Sequence, residues 1–430
     1  MKQNDEFDYV SMSELRLGLF MDLELGWLSH PFASSRFKIS DEQQIQVLKG
    51  LGQPRLRYVP VKSDPIPVPL PQVCDQDSPK ATPPLVESLS PAQSEKQKRA
   101  ALLAAQQESL AVCDRRFSES ARQYKKALGH LVDQPSQAAQ LSRSVVQGLV
   151  RDIHTQGDAA IRLLTEVAGD KFAMHAVNVT VIALLLGRAM GMQEAALQDL
   201  GLAAFMHDAG KVQLPDRMRN LHEHFSSSEN KVYQSHVERG VRLAIDMGLS
   251  PDTIRAIAEH HELADGSGFP RHLKQQEQSL GGCILALVNR YDALCNPLRA
   301  SAAMTPHEAL AMIFAQEKTR FEGNVLSAFI RMIGVYPPGS VVQLNDERHA
   351  LVVSVNSARP LKPRVIVHEP GSLPHEALIL DLEFAPNVSI RRSIKPASLS
   401  AAALEYLQPR QRICYFFEPA ANASSLVISA

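Results

Sequence analysis

The sequence predicts a mainly helical protein, with a small α+β module in front and a small β-rich domain behind. Three observations lead there. Between Ser94 and about Arg331, apolar residues recur at three- and four-residue spacing among Ala, Leu, Gln, Glu and Arg, which is the period of an amphipathic helix. Before Lys62 and after Tyr336 the pattern changes to short alternating runs, the period of strands. A proline-dense segment parts the first module from the rest.

The front module, residues 8–62, alternates at Leu15, Leu17, Leu19 and Met21 and again over Arg55–Val61. Between these runs, Ser40 or Asp41 is a good cap for a helix over Asp41–Leu51. Lys62 to Pro91 then holds Pro65, Pro67, Pro69, Pro71, Pro79, Pro83, Pro84 and Pro91, interrupted by charge. Such a segment cannot bury a core, and a semi-extended linker is expected over 63–93. Residues 94–335 form the helical part. Tyr336-Pro337-Pro338-Gly339 ends it, and residues 336–430 follow with β-branched runs at Val341–Leu344, Leu351–Val355, Val365–Val367, Ala377–Leu382 and Val388–Ile394. Asn, Pro and Gly split these runs, so a small antiparallel sheet or barrel is expected to close the chain.

Composition narrows the function. A chain of 430 residues holds two or three domains at about 150 residues each. A formal net charge of −1 gives no general attraction to a nucleic acid polymer or an anionic membrane, so an anionic substrate needs a local site. Five cysteines (Cys74, Cys113, Cys283, Cys295, Cys414) are scattered, odd in number and without a CxxC pair. That fits a reducing compartment with small buried thiols better than a disulfide framework or a zinc knuckle. Met1–Tyr9 is acidic and polar, unlike a secretory signal. The most apolar stretch, Val177–Met192, is short and broken by Asn178 and Arg188, so it reads as a buried core helix and not a membrane span. A cytoplasmic location is expected.

Histidine carries the chemistry. Of fifteen, His30, His222, His224, His272, His307, His349, His368 and His375 sit in polar or turn-like settings and read as surface or capping residues, because a lone imidazole does little without partners. His175, the pair His207-Asp208, His236 and the doublet His260-His261 are different, each falling on its own expected helix. Burying such groups is costly unless they are paired or bound to metal. Imidazoles with one bridging carboxylate suit a first-row divalent metal such as iron or manganese.

The motifs around these residues are specific. His175, HDAGK (His207–Lys211), LPD (Leu214–Asp216), HVERG (His236–Gly240), HHELADGSGFP (His260–Pro270) and NRYDAL (Asn289–Leu294) resemble the HD-GYP family in order and spacing. The stretch LRLGLFMDLELGWLSHPFASSRFKIS resembles the uncharacterised domain often found ahead of HD-GYP domains, and PPGSVVQLNDERHALVVSVN resembles their small β extension. The resemblance implies an HD-type helical bundle that hydrolyses the bacterial messenger cyclic di-GMP. It implies that His175, His207 and Asp208 hold a first metal and that Asp208 bridges to a second, held by His236, His260 and His261. Two such ions polarise a phosphodiester and lower the pKa of a water. Lys211 would face a phosphate oxygen. The loop Asp265, Gly266, Gly268, Phe269 and Pro270 would meet substrate or a partner protein such as a GGDEF-domain synthase. A homodimer is a further expectation.

The chain also departs from the family. The last metal-binding aspartate becomes Asn289, which offers a carbonyl oxygen but no charge. Lys171 stands where some members carry a third-metal glutamate, Phe269 replaces the usual tyrosine, and only Arg299 remains of an arginine-rich phosphate-binding segment. Asp292, one turn past Asn289, is placed where it could reach the site, but the favoured reading is orienting or capping within its helix. The resemblance therefore implies a cyclic di-GMP phosphodiesterase, with an impaired receptor or docking protein as the alternative.

Overall fold

The computed structural model describes residues 7–12, 14–23, 36–49, 55–64, 91–155, 159–165, 170–219, 225–356 and 359–419. The expected linker falls outside the described residues from 65 to 90, as do His30, His222, His224 and Cys74. The chain divides into two compact units, residues 1–87 and 88–430.

The first unit is a four-stranded antiparallel sheet of β1 (Asp8–Ser11), β2 (Phe20–Asp22), β3 (Arg36–Lys38) and β4 (Arg55–Tyr58), in the order β1-β4-β2-β3. Helix α1 (Glu42–Lys49) contributes Ile45 and Leu48 to a core with Val10, Met21 and Leu56. The alternation at Leu15–Met21 yields a strand only from Phe20, because Leu15 and Leu19 enter the core through a turn while Leu17 remains 47% exposed.

The second unit begins with a 40-residue helix, α2 (Pro91–His130), whose first turn lies inside the span expected to be linker. Helices α3 (Pro135–Thr155), α4 (Lys171–Ala189), α5 (Glu194–Met206), α6 (Ser227–Gln234), α7 (His236–Asp246), α8 (Pro251–Glu259), α9 (Leu280–Cys295), α10 (Pro306–Gln316) and α11 (Gly323–Ile333) follow. Helix α4 is the axis of the bundle: it packs on α2, α5, α9 and α11, and nearly every side chain from Ala173 to Gly187 is buried. It is long and apolar enough to pass for a membrane span by composition, yet 78% of its apolar window is buried by the rest of the fold.

The tail forms β6 (Val341–Leu344), β7 (His349–Asn356), β8 (Arg364–Val367), β9 (Ile379–Asp381), β10 (Ile390–Ile394), α12 (Ala401–Leu407) and β11 (Tyr415–Pro419). One more strand belongs to this sheet, and it departs from the expectation of unbroken helix. Ala159–Leu163, between α3 and α4, is extended and sits between the strand at His349–Asn356 and the last strand, pairing antiparallel with both. This strand, β5 in chain order, comes from the helical part. Ile161 and Leu163 face the same core as Tyr415, Phe416 and Phe417. The helices and the tail therefore share one continuous core, and the tail is sewn to the bundle through β5.

Candidate metal centre

Helix ends build the site. His207 is the C-cap of α5, and Asp208 follows at φ −97°, ψ 4°, opening a 3-10 turn over Ala209–Gln213. His260 is the C-cap of α8, with His261 directly after it. His236 starts α7 just after α6 ends. The two doublets thus lie where helices stop, not within them as the sequence suggested, so neighbouring side chains can converge although adjacent positions of a helix diverge by about 100°.

The same device orients three of the imidazoles. His207 Nδ1 lies 2.7 Å from the Ala204 carbonyl, His236 Nδ1 2.6 Å from that of Tyr233, and His260 Nδ1 2.6 Å from that of Ile257. A carbonyl only accepts, so in the neutral ring each Nδ1 carries the proton and each Nε2 a bare lone pair. His175, on the second turn of α4, has its Nδ1 2.5 Å from Asp292 Oδ2 and likewise turns Nε2 inward.

These lone pairs meet. His175 Nε2 is 3.2 Å from His207 Nε2, and His236 Nε2 is 3.4 Å from His260 Nε2. Asp208 lies between the pairs: Oδ2 is 3.7 Å from His175 Nε2 and 3.5 Å from His207 Nε2, while Oδ1 is 3.5 Å from His236 Nε2 and 3.8 Å from His260 Nε2. His261 completes the second group, whose donor atoms with those of Asp208, His236 and His260 lie within 4.8 Å of one another, as do those of His175, His207 and Asp208. His207, Asp208, His236 and His260 are each at most 1% exposed. Asp208 Oδ1 and His261 Nε2 are buried without a hydrogen-bond partner. Buried lone pairs pointed at each other and at an orphaned carboxylate oxygen repel unless a cation lies among them, so the donor set fits divalent metal.

Electrostatics agree with ligand-ready nitrogens at four of the imidazoles, whereas His175, lowered by burial but raised more by Asp292, lies above its ordinary value. Burial pushes His207 down to about 4 and His236 and His260 down to about 3, and holds His261 well below its usual range. Burial alone would raise the Asp208 carboxyl, but Lys211 and the surrounding imidazoles outweigh it and hold it well below the ordinary carboxylate value. Lys211 Nζ is 2.6 Å from Asp208 Oδ2 and 5.3 Å from the Tyr233 ring centre.

Of the other expected residues, Asp292 and Phe269 touch this cluster. Asn289 and Asp292 share one side of α9 at three-residue spacing and are 8% and 2% exposed. Asp292 orients His175 across helices, and it also accepts from Asn296 at the end of its own helix. Phe269 stacks on His261 with ring centres 4.5 Å apart, and its N–H donates to the His261 carbonyl over 3.0 Å. Asp265 is exposed and folds back on Ser267, Gly266 N–H donates to the Leu263 carbonyl, and Pro270 is exposed. A methyl on Gly268 would lie 2.3 Å from Leu263 N and 2.5 Å from Glu262 Cα, so only glycine fits. Arg299 is on an exposed turn past α9, and Lys171 donates to the Leu298 carbonyl over 3.3 Å. The sequence reading missed Glu262, a fully buried carboxylate that accepts from Arg271 N and Leu273 N and pins the Asp265–Pro270 loop. A carboxylate directly after two buried histidines was the signal available. A separate cavity of about 540 Å³, lined by Gln140, Arg143, Gln147 and Met247 among others, touches none of the cluster.

Comparison with known proteins places the class first: residues 154–325 match the HD domain family. Residues 9–141 match a domain of unknown function, DUF3391. The chain thus carries an HD domain with the DUF3391 domain ahead of it, in agreement with the resemblance to the HD-GYP family. Among individual proteins, it is 25% identical over 363 residues to the cyclic di-GMP phosphodiesterase PA4108 of Pseudomonas aeruginosa, covering 83% of this chain and 84% of that one. It is 21% identical over 202 residues to the cyclic di-GMP phosphodiesterase PdeB of Borreliella burgdorferi, covering 47% and 53%. It is 27% identical over 176 residues to a cyclic di-GMP phosphodiesterase of Thermotoga maritima, covering 40% and 47%.

Proposed function

We propose that this chain is a metal-dependent phosphodiesterase that hydrolyses cyclic di-GMP in bacterial second-messenger signalling, in the cytoplasm. The observation that carries the reading is two pairs of facing imidazole lone pairs, 3.2 and 3.4 Å apart within each pair, with Asp208 between the pairs. His175, His207 and Asp208 would hold one divalent ion with Asn289 beside them, and His236, His260 and His261 a second, with Asp208 bridging. Iron or manganese suits this donor set. When bound, such ions supply Lewis-acid polarisation of a phosphodiester and a lowered pKa for water.

The chain's own residues supply the rest. Lys211, only 11% exposed, sets a positive charge beside Asp208, where it can meet a phosphate oxygen without competing water. The Nδ1 hydrogen bonds hold the imidazoles in place and spare the site reorganisation. Phe269 puts hydrocarbon against His261 and limits the water that reaches it. The names of the relatives support cyclic di-GMP as substrate. The second reading, an impaired receptor or a docking module for GGDEF-domain proteins through Asp265–Pro270, is favoured by the uncharged Asn289. Turnover of cyclic di-GMP by the metal-loaded full chain, compared with the same protein after chelation, separates the two. Metal-dependent release of linear dinucleotide or GMP supports the first, and binding without turnover supports the second.

A further inference from the structure

Three imidazoles of the cluster borrow a carbonyl freed at a helix end, but His175 cannot. It lies inside α4, where the carbonyls behind it already serve the helix. Its orientation must come from elsewhere, and the hydrogen bonds show where. Tyr415 N–H donates to Asn178 Oδ1 over 2.8 Å, and Ile413 N–H to Asn296 Oδ1 over 2.9 Å. A backbone N–H can only donate, so both amide oxygens are fixed and both NH2 groups turn the other way. Asn296 Nδ2 then donates to Asp292 Oδ1 over 2.9 Å and to the Ile413 carbonyl over 2.8 Å. Asn178 Nδ2 donates to the same two acceptors. With Oδ1 taken, Asp292 offers Oδ2 to His175 Nδ1. Asn178 and Asp292 are 1% and 2% exposed, so water does not substitute for the bonds between them.

We infer that Asp292, Asn178 and Asn296 are positioning residues that lock His175 in its Nδ1–H tautomer and tie it to the backbone around Ile413, making the tail of the chain part of the metal centre. The inference rests on the metal reading for its purpose, but its geometry can be tested without metal. In the metal-free full chain with 15N-labelled histidine, at mildly alkaline pH, a long-range proton–nitrogen correlation reads the His175 tautomer. Wild type should show a protonated Nδ1 and a bare Nε2. In Asp292→Asn, the amides of Asn178 and Asn296 still demand an oxygen at the Oδ1 position. The new nitrogen therefore faces His175 and donates, and the proton should move to Nε2. Titration with Mn2+ should then be weakened by about 10- to 100-fold, the usual cost of losing a ligand's outer hydrogen bond. Asn296→Ala, a milder change in case the first variant fails to fold, should give a mixed tautomer population and a smaller loss of affinity.

An Nε2–H tautomer in wild type, or an unchanged tautomer in Asp292→Asn, would overturn the relay. So would an Asn296→Ala protein identical to wild type in both readouts. If the tautomer switches as stated while wild type binds no Mn2+, the relay stands and the metal reading is what fails.

Discussion

At the scale of single residues, Asn289 is the most informative departure. It is 8% exposed on α9, one turn before the aspartate that steadies His175. If Asn289 joins the His175–His207–Asp208 group, its neutral amide oxygen would supply a dipole where a carboxylate would supply charge, and divalent cations lose affinity by that exchange. Asn289→Asp is therefore expected to raise metal occupancy and turnover of cyclic di-GMP together, read by elemental analysis and product assay on the same preparation. A mutant that gains metal without turnover would place the deficit in phosphate binding near Arg299. The histidines were legible in the sequence because their spacing matched a known pattern and because burying so many imbalanced groups demands a reason. The relay of Asn178 and Asn296 was not: Asn178 registers only as a polar break in an apolar helix, and its partners Ile413 and Tyr415 lie at the far end of the chain.

At the scale of elements, the site depends on how closely the turn after α5 approaches α7. A methyl added to Gly210 would sit 1.9 Å from the His236 carbonyl oxygen and 2.5 Å from Gly240 N, both backbone atoms. Neither can swing aside as a side chain would, so Gly210→Ala must separate the His207-Asp208 turn from His236. A loss of at least about 1–3 kcal/mol is expected from such overpacking, measured as a shift in denaturation midpoint. Metal binding should fall as well, and a variant as stable as wild type would contradict the close approach. Gly268→Ala is expected to act more locally. It displaces the loop and the Phe269 ring from His261, reducing turnover more than stability. The helices were legible from periodicity, but their ends were not placed well enough to see that His207-Asp208 and His260-His261 lie beyond them. The strand at Ala159–Leu163 was missed because five apolar-rich residues between two helices carry no period that separates strand from helix.

At the scale of the whole molecule, the tail completes the sheet and the core. Tyr415, Phe416 and Phe417 are at most 1% exposed, and their strand pairs with Ala159–Leu163 along its full length. A chain cut after residue 335 would leave that strand with two bare edges and open the core around Ile161 and Leu163. Such a fragment is expected to melt without cooperativity or to associate, as seen by calorimetry and gel filtration. A monomeric fragment that melts cooperatively and binds metal would show the tail to be dispensable.

The two candidate ion positions share one residue, and that sharing can be measured directly. Elemental analysis of the purified full chain and of Asp208→Ala, after equal exposure to Mn2+ or Fe2+, tests it. Removal of the shared carboxylate should empty both positions of most of their metal, because it takes the bridging anion from between the two imidazole pairs. An Asp208→Ala protein that keeps the wild-type metal content and turnover would contradict a centre built on Asp208.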